Sequence, residues 1–182
     1  MNELFFPLKR HGIIIFNNPS EIKEKSCFYG QQRTKNNAKL HEIAPEYDRG
    51  RIANNVDELG VTAELIAIEF LEQQKIPFTS LDIVEDRPIK TADVFIENFK
   101  IDVKGVRFDN ENLTVNCRAH FQKDVTHYWF IKPFKDNDGN LIGEAEYWII
   151  PAELVTYWNK EYGSFTPFFY KKIVEINKLY EI

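Results

Sequence analysis

The sequence predicts an α/β domain in which a mixed central β-sheet is packed between layers of helices. Three patterns along the 182 residues predict it. Residues 56–74 repeat apolar side chains every three or four positions, which is typical of an amphipathic helix. Residues 91–105 resemble a short hairpin, and the aromatic and β-branched run 126–134 is typical of a strand. Helices that alternate with strands in this way favour a layered α/β domain.

The first 55 residues are predicted to form a basic arm that is partly irregular. Residues 4–16 hold two short apolar runs around a Lys-Arg-His-Gly turn, as a small hairpin or an edge strand does. Residues 17–55 are polar, and Pro45 and Gly50 interrupt regular structure there. Residues 56–182 are predicted to form the α/β core with a C-terminal extension, and the chain as a whole is predicted to be one domain.

After the first helix, the core is predicted to continue with strands and short helices. Pro77 ends the first helix, and Pro151 starts a later one, because proline suits the first helical position. Turns are expected at 109–112 and 136–139. In chain order the predicted elements are a strand at 78–84, the hairpin, a strand at 113–117 that extends the sheet, a short helix at 118–125, strands at 126–134 and 144–150, and a helix at 151–158.

Charge limits the classes of partner. The net charge of −5 argues against a protein that coats nucleic acid without sequence preference. The charge is uneven, because residues 1–55 hold nine basic and six acidic residues, a net +3, and the rest hold fourteen and twenty-two, a net −8. Four basic residues of the arm are candidates for DNA contacts, with ordinary solubility as the alternative: Arg33, Lys35, Arg49 and Arg51.

Cysteine content and apolar runs bear on the compartment. Cys27 and Cys117 are the only cysteines, and their spacing is not that of a disulfide scaffold or a zinc site. No apolar run approaches the roughly 20 residues needed to span a bilayer, and the first residues lack the pattern of a secretion signal. We therefore expect a cytoplasmic protein without a membrane partner.

The hairpin at 91–105 places two acids and a lysine on one face. If Glu97-Asn98 is its turn, Asp93 faces Asp102 across the two strands, and Lys104 leaves its strand on the same side as Asp102. Directly opposed like charges destabilise a strand pair. A divalent metal ion between the two carboxylates would remove that cost.

Two alternatives to a metal site stay open for this hairpin. Lys104 would neutralise Asp102 by itself on a solvated face, and a three-residue turn would shift the register and separate the two acids. A third acid, Glu64, borders the apolar face of the helix at 56–74. Its carboxylate is expected either to reach water or to be aimed at a cation.

The combined motif resembles that of the PD-(D/E)XK nuclease superfamily over residues 59–133. It consists of Glu64 in the helical pattern E-x-x-A-x-x-F-L, then Asp93, eight intervening residues and Asp102-Val103-Lys104. Ala92 stands where the family name has proline. The resemblance implies a restriction-endonuclease-like three-layer sandwich, in which a mixed central sheet is flanked by helices.

The resemblance also implies a role for each residue of the motif. Asp93 and Asp102 would bind Mg²⁺ or Mn²⁺, together with the backbone carbonyl of Val103. Glu64 would join them directly or through water. Lys104 would orient or deprotonate the attacking water and offset charge on the phosphoryl group. Oxygen ligands of this kind suit a magnesium ion that keeps several of its waters.

The implied activity is metal-dependent endonucleolytic hydrolysis of phosphodiester bonds in DNA, of the restriction, repair or mobile-element type. Gln122, in the next predicted helix, is an accessory candidate for the same site. Two-fold symmetric cutting would require a homodimer. The alternative is a non-catalytic module on the same fold that binds nucleic acid or protein.

Overall fold

A six-stranded sheet, a three-stranded sheet and five helices make up the described part of the chain in a computed structural model, residues 8–43, 56–80, 83, 92–162 and 167–179. In chain order the elements are β1 (His11–Ile15), α1 (Pro19–Ile43), α2 (Val56–Gln73), β2 (Thr79–Ser80), β3 (Val94–Ile96), β4 (Phe99–Gly105), β5 (Asn112–Asn116), α3 (Cys117–Gln122), β6 (His127–Lys135), β7 (Leu141–Pro151), α4 (Ala152–Val155), β8 (Asn159–Tyr162), β9 (Pro167–Lys172) and α5 (Ile173–Leu179).

The main sheet has the spatial order β1-β7-β6-β4-β3-β2. Strands β4 and β6 run parallel, and the other neighbouring pairs are antiparallel. A parallel pair needs a crossover connection, which here includes β5 and α3. This arrangement confirms the prediction of an α/β fold with a mixed sheet. Strand β1 lies at an edge of the sheet, as one of the two expectations for residues 4–16 had it.

Alternating side chains of β6 separate two apolar cores. Trp129 and Ile131 pack with buried residues of α1 and α2. Tyr128 and Phe130 pack on the opposite face with residues of β5, β9 and α5. The main sheet is therefore the middle of three layers. Helices α1 and α2 cover one face, and the small sheet with short helices covers the other.

The predicted strand at 113–117 does not extend the main sheet. It forms β5, which pairs with β9 in the small sheet of order β5-β9-β8. Leu113 and Val115 are fully buried in the second core. The strand leaves the main sheet because its apolar side chains cover that sheet's other face.

Helix α1, Pro19–Ile43, corrects the prediction of irregular structure for this part of residues 17–55, and residues 44–55 lie outside the described ranges. It runs for 25 residues and buries Ile22, Ser26 and Gly30, which are spaced four apart, where it packs on α2. A Cβ atom on Gly30 would lie 2.8 Å from Cα of Glu58, so the two helix backbones approach closely. A buried face with one isoleucine, one serine and one glycine gives little periodic apolar signal. Helix α1 therefore packs against the core, through α2 and β7.

Several other boundaries differ from prediction. Helix α4 ends at Val155, three residues before the predicted end, and Pro151 immediately precedes it. Strand β2 covers Thr79–Ser80, and most of the rest of the predicted strand at 78–84 lies outside the described residues. The turn expected at 136–139 is present, with Gly139 at φ +78°.

Within the described ranges, no helix has the length and apolar character needed to cross a bilayer.

Candidate active site

The hairpin that contains the predicted site has the expected register. Its pairs run from Val94 opposite Ile101 to Ile96 opposite Phe99, so the two turn residues are 97 and 98. Glu97 takes a φ of +50°, which this tight turn imposes on a residue other than glycine. The alternative three-residue turn is thereby excluded.

Asp93 lies directly before β3 and is held against β4 by its backbone and its side chain. Its N–H donates to the carbonyl of Ile101 at 2.9 Å, and its Oδ2 accepts from the N–H of Val103 at 2.8 Å. Burial, followed by the negative charges of Asp102 and Glu64, raises the pKa of Asp93 to about 8, although the charges of Lys123 and Lys104 act in the opposite direction. The three predicted acids are thus close enough to influence one another electrostatically.

Asp102 is completely buried and lies between two ammonium groups. Lys123 donates to its Oδ1, and Lys104 contacts its Oδ2. Burial alone would raise the pKa of Asp102, but the two lysines outweigh it and lower the pKa to about 2. Asp102 is therefore ionised, and each of its two oxygens is in contact with a lysine ammonium.

Lys123 is the residue of this cluster that sequence analysis missed. It follows α3 directly, and its N–H donates to the carbonyl of Ala119 at 2.9 Å. Its side chain is only 10% exposed because it extends to Asp102. The accessory candidate Gln122 precedes it and is exposed. The sequence signal for this residue was a lysine at the end of a short helix that precedes a buried strand. Its position in the sequence did not indicate that it would contact Asp102.

The carboxylate of Glu64 is directed at a cation, which is one of the two environments expected for it from the sequence. The side chain lies on α2 and is almost buried, and both of its oxygens accept from the guanidinium of Arg33 at 2.8 Å. Arg33 also donates to the carbonyl of Ile83, from Nε at 3.1 Å and from a terminal nitrogen at 2.5 Å. This bidentate pair joins α1 to α2 beside the hairpin.

The predicted DNA-contact residues fall into three settings. Arg33 is engaged with Glu64, and its side chain is 16% exposed. Lys35 lies exposed on α1. Arg49 and Arg51 lie outside the described residues.

A tyrosine and a histidine adjoin Asp102 on the second-core face. Tyr128 of β6 is in register with Asp102 of β4, and its hydroxyl lies 2.9 Å from Nδ1 of His120. Burial and the charge of Asp102 both raise the pKa of Tyr128. The phenol therefore stays protonated and is available as a hydrogen-bond donor near the cluster.

The acidic side chains of the cluster are of a type that suits a hard divalent ion, but they are not grouped closely around one point. Glu64, Asp93 and Asp102 offer oxygen ligands of the kind that Mg²⁺ prefers. In the described ranges, however, no three His, Cys, Asp or Glu side chains are grouped closely enough to hold a metal ion. Cations of the chain itself occupy Asp102 and Glu64.

Comparison with known proteins identified no relative, since neither a family model, nor a curated protein, nor a solved structure matches the chain.

Proposed function

We propose that this protein is a metal-dependent endonuclease that hydrolyses phosphodiester bonds of DNA. One observation supports the proposal most strongly. Glu64 from α2, Asp93 from the start of β3, and Asp102 with Lys104 from β4 form one electrostatically linked cluster, although they lie up to 40 positions apart in the sequence. Perturbed carboxylates gathered beside a lysine are typical of catalytic sites.

The arrangement of elements around the cluster also supports a restriction-endonuclease-like core. Helix α2, strand β2, the β3–β4 hairpin, strand β5, helix α3 and strand β6 follow one another along the chain, in the order predicted from the sequence. Three layers are present as well, although the small sheet supplies much of the third. The choice of DNA over RNA follows from the resemblance.

The residues of the cluster have distinct roles in the proposed reaction. Asp93 and Asp102 would hold Mg²⁺ or Mn²⁺, and Glu64, kept in place by Arg33, would complete the acidic side of the site. Bound there, the ion would lower the pKa of a water molecule and offset charge on the phosphoryl group. Lys104, which is 30% exposed, would turn from Asp102 and donate hydrogen bonds to the phosphoryl oxygens.

A non-catalytic binding module is the second candidate, and the ion pairs of the cluster favour it. Arg33 satisfies Glu64, two lysines surround Asp102, and the N–H of Val103 binds Asp93. The acids are thus compensated without a metal ion. Such a cluster also suits a structural polar core that holds α1, α2, α3 and the hairpin together.

Cleavage of plasmid, linear and branched DNA with Mg²⁺ or Mn²⁺ separates the two candidates. We expect Lys104→Ala and Asp93→Ala to lower the cleavage rate by at least about a hundredfold. Lys100→Ala is the matched control. Lys100 lies on the same face of β4 and pairs with Asp124 at 2.5 Å, but its side chain is 41% exposed. Circular dichroism verifies that each variant is folded.

Two results would contradict the nuclease proposal. One is a pure wild-type chain that cuts none of these substrates with either ion. The other is a Lys104→Ala variant that cuts as fast as Lys100→Ala. Calorimetric titration with Mg²⁺ then tests the binding module. It is supported if the wild type shows no Mg²⁺ site that is lost in Asp102→Asn.

A further inference from the structure

The outer face of the small sheet carries two aromatic side chains. Phe168 and Tyr170 are two positions apart on β9, the central strand of that sheet, so they leave the strand on the same side. Their ring centroids lie 6.3 Å apart. Phe169, between them, is buried in the second core. The two partly exposed aromatic residues therefore lie on the face that points away from that core.

Neighbouring strands surround this pair with exposed polar residues. Thr114 of β5 and Asn159 of β8 are in register with Tyr170. Glu161 of β8 is in register with Phe168. All three neighbours are exposed, so the described elements leave this face open to solvent. Aromatic rings on an open sheet face offer flat apolar surfaces on which bases can stack.

The layer that bears this face is basic, although the whole chain is acidic. Five basic and two acidic residues, a net +3, occur in β5 with α3, in β8, and in β9 with α5, which are residues 112–122, 159–162 and 167–179. The net charge of the chain is −5. Lys172, two positions beyond Tyr170 on β9, is exposed on the same face as the aromatic pair. A polyanion is therefore attracted to this layer more than to the rest of the chain.

Several ammonium groups lie where β9 continues into α5. Lys171 pairs with Glu175 at 2.6 Å, and its hydrogen bond and charge lower the pKa of that carboxyl. The charges of Lys172 and Lys178 lower the pKa of Glu175 in addition. Three cations thus lie around one carboxylate at this end of the aromatic face, which places positive charge beside the rings.

We propose that the outer face of the small sheet binds single-stranded DNA, with Phe168 and Tyr170 stacked on bases and Lys172 in contact with a backbone phosphate. Any base can stack in this way, because every base has a π face. A single strand fits better than a duplex, in which neighbouring base pairs cover those faces. Binding here requires no metal ion. The choice of DNA over RNA rests on the proposed function.

Fluorescence anisotropy of a labelled oligothymidine strand in EDTA tests the inference. Replacing Phe168 and Tyr170 together by leucine removes the rings and keeps apolar side chains, and we expect it to weaken binding by at least about fivefold for each ring. Tyr170→Phe keeps the ring and should keep the affinity. Tyr162→Ala is the matched control, because Tyr162 is 77% exposed but its register with Pro167 places it on the opposite face. Circular dichroism verifies that each variant is folded.

Lys172→Gln tests the phosphate contact in the same assay. We expect it to reduce the slope of log K against log salt by about 0.7, as the loss of one contact with a single-stranded phosphate does. Lys160→Gln is the control, because Lys160 is in register with the buried Phe169 and thus belongs to the other face. It should keep the wild-type slope.

The inference is overturned if the folded double-leucine variant binds the strand as tightly as the wild type, or if Tyr162→Ala weakens binding by as much. It is also overturned if the wild type prefers the duplex formed with the complementary strand, or an oligouridine strand of the same length. Strand binding through the two rings by a protein that cuts no DNA supports the inference while the nuclease proposal fails. Cleavage with Mg²⁺ by a protein whose strand binding does not depend on the rings gives the opposite result. The two proposals therefore fail separately.

Discussion

The raised pKa of Asp93 predicts a pH dependence of stability that one substitution removes. In Asp93→Asn the side chain keeps an oxygen that accepts the 2.8 Å hydrogen bond from the N–H of Val103, but it no longer titrates. The folded wild type holds a proton on Asp93 up to about pH 8, whereas the unfolded chain loses it near the ordinary value of about 4.

The sign and size of the effect follow from proton linkage. Between these two values the folded state binds one more proton than the unfolded state, so the free energy of unfolding falls as the pH rises. Each pH unit over which that difference persists is worth about 1.4 kcal/mol. We therefore expect the wild type to lose about 3–4 kcal/mol relative to Asp93→Asn between pH 5 and pH 8.

Urea unfolding in EDTA, followed by circular dichroism at four pH values from 5 to 8, measures this difference. Contributions of the histidines cancel because both proteins contain them. Asp102 does not contribute in this range, because its lowered pKa affects stability only at more acidic pH. Parallel stability curves for the two proteins would refute the raised pKa of Asp93.

Three further outcomes are expected. Gly30→Ala should destabilise the fold by about 1–3 kcal/mol in urea unfolding, because its methyl group would overlap the α2 backbone. The control Gly60→Ala, in α2 with ordinary contacts, should be neutral or stabilising. Equal effects of the two substitutions would contradict the close approach of the helices. Arg33→Ala should cost about 3–5 kcal/mol, because it leaves a nearly buried glutamate unpaired, whereas the exposed Lys35→Ala on the same helix should change stability by less than about 0.5 kcal/mol. If the nuclease proposal holds, Mg²⁺ binding at pH 7 should release close to one proton in the wild type and none in Asp93→Asn. Calorimetry in two buffers of different ionisation enthalpy measures this release. Equal proton release from both proteins would show that Asp93 is not a metal ligand.

Local patterns predicted the hairpin and its face because strand alternation and a two-residue turn fix the register together. The pairing of Val94 with Ile101 and the contact of Lys104 with Asp102 follow from that register. The helix at 56–74 was equally accessible, since its apolar spacing is clear and α2 occupies Val56–Gln73. Features of this kind depend on neighbours within about ten residues.

The remaining features depend on contacts between distant segments. Arg33 meets Glu64 across 31 positions, and Lys123 meets Asp102 across 21. Nothing in the composition of α1 indicates that Gly30 lies against another helix. The opposed acids of the hairpin were interpreted either as a metal site or as neutralised by Lys104, and in the fold Lys104 and the distant Lys123 both contact Asp102. Charge balance in a buried cluster is a property of the assembled fold, so a single segment does not show it.

The tryptophans are divided between the two cores, which gives each outer layer of the molecule its own optical probe. Trp129 is completely buried among the residues that face α1 and α2. Trp148 is completely buried on the opposite side, where its Nε1 donates to Asn177 at 2.9 Å, and Trp158 packs into the same core. Replacing the tryptophans of one side with phenylalanine would leave fluorescence that reports solvent entry beneath the other layer alone. Detachment of the helical layer and detachment of the small sheet are thus distinguishable by the emission wavelengths of the two variants.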